Sequence, residues 1–302
     1  MLRSVLSIDG GGTKTAGLVA DRNGRLSRLK PAQGCNIQDG AGWQAALGAL
    51  FDQAHDIDFA VIGMPGFGEV PDHDMQVADF VTARIGAAHL IINDVELAFR
   101  GAFPDRDGVL VLAGTGSMAI GRSQGIQRRS GGWGHWLGDE GSAFWIGKQA
   151  LVLATAELDG RAPMTGFAAM LTQALDAPKH PYGLLDWVMQ GDTQRARIAS
   201  VARILDRLAL AGNLVARSIL DEAAAHLAAL MRSASPVGTP WAHAGSVFQS
   251  SRILDALIHE NGAPTPPVAS ALTGGLLHAA ALAKWNVTPE WTAKVLSQDN
   301  PQ

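Results

Sequence analysis

Two glycine-rich stretches, residues 10–15 (GGGTKT) and 114–117 (GTGS), contain residue types that bind phosphate. Glycine has no Cβ, so backbone N–H groups can approach a phosphate closely, and threonine and serine hydroxyls add donors. The first stretch lacks P-loop spacing, and Thr15 stands where the Rossmann fingerprint needs its third glycine. A tight hairpin without a ligand is the alternative, but the repeated pattern favours a nucleotide held from two sides. The predicted nucleotide-binding residues of these turns are Gly10, Gly11, Gly12, Thr13, Lys14, Thr15, Gly114, Thr115 and Gly116.

Two aspartates stand where apolar stretches end, and each could serve phosphoryl transfer. Asp9 lies beside the predicted phosphates, which would repel it unless a cation lay between, so we expect it to hold Mg²⁺ through water. Asp94 follows the apolar stretch HLIIN, at the strand end where α/β sheets bind ligands, and could accept a proton from a substrate hydroxyl. Structural roles are the alternatives: an Asx-turn for Asp9 and a helix N-cap for Asp94.

A third segment, residues 131–142 (GGWGHWLGDEGS), has the residue types of a sugar site. Carboxylates accept hydrogen bonds from sugar hydroxyls, and tryptophan faces pack on the C–H surfaces of pyranose rings. A glycosidase is disfavoured, because the adjacent Asp139 and Glu140 cannot easily straddle one glycosidic bond. A metal role for His135 is disfavoured, because no second histidine has helical or strand spacing to it.

The candidate residues can be brought together only if strands end at the two glycine turns. The first half is predicted to contain strands at 3–9, 15–20, 25–30, 58–63 and 89–93, and helices at 41–55, 74–86 and 95–102. The second half is predicted to contain strands on both sides of 114–117, a loop at 130–141, helices within 142–233, a strand at 240–245, a helix at 246–260, and a small strand and a helix within 268–285. Both halves open with strand, glycine turn and strand, which indicates an internal duplication in an α/β fold.

The composition narrows the class of protein. The 302 residues suffice for two domains, and the net charge of −4 disfavours nucleic acid as a partner. The single cysteine, Cys35, cannot form an internal disulfide or a thiolate zinc site. The sequence has no stretch of about 20 apolar residues that could span a membrane, and its first residues do not resemble a signal peptide. We therefore expect a cytoplasmic protein without a membrane partner.

The chain resembles the N-acetylglucosamine kinases and their relatives in the BadF/BadG/BcrA/BcrD ATPase family. The resemblance lies in five stretches, which are DGGGTKT, HLIINDVELA, LAGTGS, GGWGHWLGDEGSAFWIG and AGSVF. It implies an α/β fold of two actin-like (ribonuclease H-like) ATPase domains with a central cleft. We expect these domains at residues 1–117 and 118–302, with the last helix returning to the N-terminal domain.

The resemblance also implies a reaction, in which the γ-phosphate of ATP is transferred to the 6-hydroxyl of an amino sugar. Asp94 falls on the catalytic base and substrate contact. The other residues that fall on sugar-binding positions are Asn36, Gly132, Trp133 and Asp139. The residues that fall on nucleotide-binding positions are Thr13, Thr115, Ala209, Gly245 and Ser246.

Other functions stay open within the same fold. The acceptor could be glucosamine, N-acetylmannosamine, N-acetylmuramic acid or glucose instead of N-acetylglucosamine. Repressor relatives carry a DNA-binding segment before the first glycine turn, and the eight residues before Asp9 disfavour such a sugar sensor. An ATP-dependent activator with an iron–sulfur cluster at a dimer interface needs four thiolates, so the single Cys35 disfavours it. A homodimer is left open.

Overall fold

The computed structural model describes residues 3–40, 42–191 and 194–299. Among these residues, the part up to Arg106 and the part from Pro266 onward form one compact unit, called unit 1, and Asp107–Thr265 form unit 2. The strands are β1 (Ser4–Gly10), β2 (Lys14–Asp21), β3 (Leu26–Arg28), β4 (Ala32–Gln33), β5 (Ile57–Met64), β6 (Ala88–Asn93), β7 (Gly108–Ala113), β8 (Ser117–Ser123), β9 (Ile126–Gly131) and β10 (Trp241–Ala244). The helices are α1 (Gly42–Phe51), α2 (Pro71–Ile85), α3 (Asp94–Ala102), α4 (Ala143–Leu158), α5 (Phe167–Ala174), α6 (Gly183–Met189), α7 (Gln194–Leu210), α8 (Leu214–Ala234), α9 (Ser251–Asn261), α10 (Ala271–Leu282) and α11 (Pro289–Ser297).

Unit 1 is built on a mixed sheet with the strand order β3-β2-β1-β5-β6. The first three strands form an antiparallel meander, while β5 and β6 run parallel to β1. Side chains of β1 alternate between two cores, as the two-residue period of a strand requires. Leu6 and Ile8 belong to a core that contains residues of α1 and α2, whereas Val5 belongs to a core that contains residues of α10 and α11. Helices therefore cover both faces of the sheet.

Unit 2 repeats this plan. Its sheet has the order β10-β7-β8-β9, in which β7, β8 and β9 form an antiparallel meander and β10 runs parallel to β7. In unit 1 helix α1 lies between the meander and the next parallel strand, whereas in unit 2 helices α4 to α8 occupy that place. The shared strand order agrees with an internal duplication, with a helical insertion in the second copy.

The C-terminal segment packs on the meander and on β5 of unit 1. The indole of Trp291 in α11 donates to the carbonyl oxygen of Asp21 at 3.1 Å, and the indole of Trp285 donates to Asp58 at 2.9 Å. The side-chain amide of Gln298 donates to the carbonyl oxygen of Gly24 in the β2–β3 turn at 2.7 Å. These bonds join residues more than 200 positions apart, so the end of the chain is part of unit 1.

The structure differs from the sequence-based expectations at a few places. Its division after Arg106 precedes the predicted boundary at residue 117, because β7 and β8 pair along their whole length and a boundary there would separate them. Strand β9 was not predicted, and no strand forms between residues 268 and 285. There, the backbone N–H of Ala269 donates to Gly101 at 2.9 Å, outside any sheet. Among the described residues, no helix has the length and apolar character that crossing a membrane requires.

Candidate active site

In unit 1 the carboxyl ends of three parallel strands meet at one edge of the sheet. Asp9 of β1 pairs with Gly63 of β5, and Met64 of β5 pairs with Asn93 of β6. The first glycine turn, the loop after β5 and the start of α3 therefore lie along the same edge. Open α/β sheets bind ligands at this edge. The sequence-predicted residues Asp9, Asn36 and Asp94 are all found in this region, which we call the unit 1 site.

The first glycine turn joins β1 and β2 and is closed by the pair Gly10–Thr15. The following chain passes very close to it, since the N–H of Cys35 donates to the carbonyl oxygen of Gly11 at 3.0 Å. A Cβ on Gly34 would lie 2.1 Å from the carbonyl oxygen of Gly12, so only glycine fits there. By contrast, a Cβ on Gly12 itself would meet nothing within 4 Å. The turn is thus supported from one side and open at Gly12, as approach of a phosphate requires.

Thr15 has a different place from the one predicted for it. Its side chain is fully buried, and its hydroxyl donates to the carbonyl oxygen of Gln33 at 2.7 Å, which joins β2 to β4. The geometry does not support a hydroxyl contact from Thr15 to a nucleotide. Thr13 and Lys14 are exposed. Gly10 is buried, and a Cβ there would lie 2.5 Å from the Cys35 sulfur. Thr15 and Gly10 therefore support the turn, whereas Thr13 and Lys14 are accessible to a ligand.

Asp94 is the first residue of α3 and is half-buried. The N-cap is its neighbour Asn93, whose Oδ1 accepts from the N–H of Val95 at 3.0 Å. The amide of Asn93 also donates to the carbonyl oxygen of Phe67 in the loop after β5, at 3.1 Å. The capping alternative therefore applies to Asn93, which fixes the start of the helix and so holds Asp94 at the edge of the sheet.

Asp9 is a poorly solvated carboxylate close to a second one. Burial raises the pKa of the Asp9 carboxyl, and the negative charge of Asp94 raises it further, to about 7. A cation beside the two groups would relieve this repulsion. Proteins commonly hold Mg²⁺ with one or two carboxylates while substrate phosphates and water complete its shell, and Asp9 fits that role. Among the residues described, no cluster of three or more histidine, cysteine or acidic groups forms a metal site.

We expect the ionisation of Asp9 to destabilise the nucleotide-free protein as pH rises. The folded-state pKa lies above the unfolded value of 3.8, so the stabilisation present below that value is lost as pH approaches about 7. Between about pH 5 and pH 8, wild type should lose about 3 kcal/mol of unfolding free energy relative to Asp9→Asn. Denaturant unfolding without magnesium measures this difference. In Asp94→Asn, which keeps Asp9 but removes the neighbouring charge, the loss should be smaller; equal pH profiles for wild type and Asp9→Asn would contradict the expectation.

Asn36 begins a short 3₁₀ turn, Ile37–Asp39, and its Oδ1 accepts from the N–H of Gln38 at 3.1 Å. The loop after β5 lies beside it, since a Cβ on Gly66 would be 3.7 Å from Asn36 Oδ1. Gln38 also donates to Glu69 of that loop at 3.0 Å. Sequence reasoning missed residues 65–69 (PGFGE) as part of the site. The available signal was two glycines directly after a strand, and both Gly66 and Gly68 have positive φ.

The second glycine turn lies in unit 2 at the carboxyl ends of the parallel strands β7 and β10. The N–H of Gly114 donates to the carbonyl oxygen of Gly116 at 2.9 Å, and the N–H of Ala143 at the start of α4 donates to Gly114 at 2.8 Å. A Cβ on Gly245 would lie 2.2 Å from the carbonyl oxygen of Ala113. Glycine at 245 thus allows the chain after β10 to pass directly beside the turn, which brings Ser246 close to Thr115.

A cavity of about 280 Å³ in unit 2 adjoins this turn. Its lining includes Thr115 and Ser246, apolar side chains of α4 and α7, and the polar residues Ser200, Arg203, Asp206 and Ser250, which sequence reasoning missed. Ala209 is not part of this lining; it is buried and lines a neighbouring groove. The nucleotide contact of Ala209 therefore stays a prediction, whereas α7 residues one to three turns earlier line the cavity. Sequence signals for those positions were absent, because a long helix presents polar residues on several faces.

The tryptophan loop, residues 132–142, has an exposed part and a buried part. Trp133 is 73% exposed, and the carbonyl oxygen of Gly132 accepts a hydrogen bond from Arg129 at 2.6 Å. Asp139 is only 4% exposed and forms an ion pair with Arg195 at 3.0 Å. Gly132 and Trp133 are therefore accessible to a sugar, whereas Asp139 lies behind the second glycine turn. Its predicted sugar contact stays a prediction, and its observed partners are within unit 2.

Two curated proteins are similar to the chain over most of its length. An N-acetylmuramic acid/N-acetylglucosamine kinase of Clostridium acetobutylicum is 30% identical over an alignment of 240 residues, which covers 75% of this chain and 77% of that protein. An N-acetyl-D-glucosamine kinase of Dictyostelium discoideum is 27% identical over an alignment of 251 residues, which covers 76% of this chain and 78% of that protein.

Solved structures share the fold. A Chromobacterium violaceum protein, proposed to be an N-acetylglucosamine kinase, superposes with a TM-score of 0.73 at 24% identity, covering 91% of this chain and 98% of that chain. A ROK family glucokinase of Streptomyces griseus, solved with glucose and AMPPNP, gives a TM-score of 0.51 at 20% identity, covering 93% and 99%. The predicted actin-like α/β class is confirmed. Because a profile of the BadF/BadG/BcrA/BcrD ATPase family matches residues 6–283, the chain belongs to that family, as its motifs predicted.

Proposed function

We propose that the protein transfers the γ-phosphate of ATP to the 6-hydroxyl of N-acetylglucosamine, with Asp94 as the general base. The general activity, that of an ATP-dependent sugar kinase, follows from the family and from the two curated kinases that resemble the chain. The choice of an N-acetylated amino sugar is supported by the names of both relatives. The Clostridium acetobutylicum relative acts on N-acetylmuramic acid as well, so that sugar is the second candidate acceptor.

The proposal is supported mainly by the position of three features along one edge of the sheet in unit 1. Asp94 stands at the start of α3, held there by Asn93, and Asn36 lies beside the loop after β5. The first glycine turn follows β1 at the same edge. A base, a sugar-contacting amide and a phosphate-binding turn are the parts that a sugar kinase needs in one place.

In the proposed reaction, Asp94 accepts the proton of the 6-hydroxyl as its oxygen attacks the γ-phosphorus, and ADP leaves. Asn36 orients the sugar through hydrogen bonds, and Gly12, Thr13 and Lys14 contact the phosphates. Mg²⁺, when bound, would neutralise phosphate charge, and Asp9 would hold it through water. General-base assistance of this kind contributes about 10²–10⁴-fold to the rate.

In unit 2 we assign the second glycine turn to phosphates and the adjoining cavity to adenosine. The walls of the cavity include Ala143, Ile146 and Val247, which suit the faces of a purine. Polar groups from Ser200, Asp206 and Ser250 line the same space and could bind the ribose or the edge of the base. Gly245 and Ser246 stay among the proposed contacts, because Ser246 lines this cavity and Gly245 lies directly beside the turn.

The test is sugar-dependent release of ADP by the purified protein over a panel of acceptors. The panel contains N-acetylglucosamine, N-acetylmuramic acid, N-acetylmannosamine, glucosamine and glucose. We expect release of ADP with N-acetylglucosamine. With glucose, kcat/KM should be lower by about tenfold or more, because a site built to bind the acetamido group leaves polar groups unpaired without it. Absence of release with every sugar would defeat the kinase proposal. A preference for N-acetylmuramic acid would identify that sugar as the acceptor and leave the proposed reaction unchanged.

A further inference from the structure

A buried carboxylate lies directly behind the second glycine turn. Asp139 is 4% exposed, and its Oδ1 accepts a hydrogen bond from the backbone N–H of Ser117 at 3.3 Å. A Cβ on Gly116 would lie 3.0 and 3.1 Å from the two carboxylate oxygens, so the turn rests on this side chain. The backbone N–H of Ser142 also donates to the carbonyl oxygen of Asp139 at 3.0 Å, which fixes the loop that carries it. The shape of the turn therefore depends on a negatively charged group.

This charge would oppose the binding of phosphates to the turn. Like charges a few ångströms apart repel strongly where solvent is excluded, and a buried carboxylate without a partner is itself costly. Arg195 of α7 supplies the opposite charge, with its Nη2 donating to Oδ2 of Asp139 at 3.0 Å. The Arg195 side chain is 43% exposed, so it remains partly hydrated while it neutralises the carboxylate.

The helix that carries Arg195 is rigidly placed. A Cβ on Gly147 of α4 would lie 2.0 Å from the carbonyl oxygen of Ile198, so the backbones of α4 and α7 are in direct contact. Arg195 lies one turn before Ile198, and α4 begins directly after the loop of Asp139. The close packing of the two helices therefore sets the distance between the guanidinium and the carboxylate.

We propose that Arg195 is a positioning residue for the nucleotide: it neutralises Asp139, and this allows Asp139 to shape the second glycine turn without repelling phosphate. The proposal rests on the proposed function, because it takes this turn as a phosphate site. It assigns to Arg195 a role that no sequence motif indicated. It also gives Asp139 a part in nucleotide binding, in addition to the sugar contact that the family resemblance implies.

The experiment measures the Kd of MgADP by calorimetry without sugar, for wild type and four variants. Arg195→Ala should raise the Kd by about tenfold or more, because it leaves a buried negative charge behind the turn. Arg195→Lys should retain part of the affinity. The double variant Arg195→Ala with Asp139→Asn removes both charges and should return to within about threefold of wild type. Arg197→Ala is the matched control, since Arg197 lies on the same helix but binds the carbonyl oxygen of Trp187.

Each outcome decides one point. Wild-type affinity for MgADP in Arg195→Ala would overturn this inference but not the proposed function. A double variant that binds MgADP as weakly as Arg195→Ala would do the same. A raised sugar KM with an unchanged MgADP Kd would place the ion pair at the sugar site and would also overturn it. A wild-type protein that does not bind MgADP at all would instead contradict the proposed function. Circular dichroism and thermal unfolding of each variant verify that the comparison is between folded proteins.

Discussion

Replacing Asp94 by asparagine is expected to lower kcat by about 10²–10⁴-fold while the Kd of the sugar changes little. Asparagine has nearly the same shape and can still accept a hydrogen bond from the 6-hydroxyl, but it cannot take its proton. The start of α3 should persist, because the N-cap is Asn93 and its bonds to Val95 and Phe67 do not involve the Asp94 side chain. Steady-state kinetics and sugar-binding calorimetry measure the two quantities.

The matched control is Glu96→Gln, which removes a negative charge from the same turn of the same helix. Glu96 is paired with Arg100 at 2.6 Å, and we place it outside the reaction. Its kcat should stay within a few-fold of wild type. Near-normal turnover in Asp94→Asn would refute the assignment of the base. An equal loss in both variants would show that the charge of the helix start matters, instead of the proton acceptor.

Replacing Gly34 by alanine is expected to disrupt the first glycine turn from behind. The new Cβ would lie 2.1 Å from the carbonyl oxygen of Gly12 and 2.9 Å from the backbone nitrogen of Thr13, so the backbone of the turn must move. We expect a loss of about 2 kcal/mol or more in unfolding free energy, together with a raised KM for ATP. Denaturant unfolding and kinetics at saturating sugar measure these effects.

Gly12→Ala is the counterpart, in the same turn and with the same added methyl group. Its Cβ would meet no protein atom within 4 Å, so stability should change by about 0.5 kcal/mol at most. If Gly12 contacts phosphate, the KM for ATP should nevertheless rise. A stable Gly34→Ala with normal kinetics would show that the turn tolerates displacement, and a kinetically silent Gly12→Ala would move the phosphates away from it.

Much of the local structure could be predicted from the sequence, because alternation, helical periodicity and turn residues act over a few positions. Strands β1, β2, β5, β6 and β7 lie where they were expected, and both glycine turns join strands. Strand β9 was missed because residues 126–129 are all exposed, so its pattern shows no alternation. The return of the chain from Pro266 to unit 1 was expected only from the family resemblance, because it depends on bonds such as that of Trp291 to Asp21, which no local signal announces.

The sequence by itself determined the family, the actin-like fold class and the sugar kinase class, because these depend on motifs whose order and composition are directly readable. The tertiary structure decided which candidate residues are accessible and which are buried and paired within their own unit. Thr15 donates to Gln33 inside unit 1, and Asp139 is neutralised by Arg195, 56 positions further along the chain. Burial and pairing with distant residues separate these two groups, and neither is encoded in residue type or local spacing. For the same reason, the residues of the turn at 10–15 fall into two groups. The exposed residues could contact phosphate, and the buried residues support the turn.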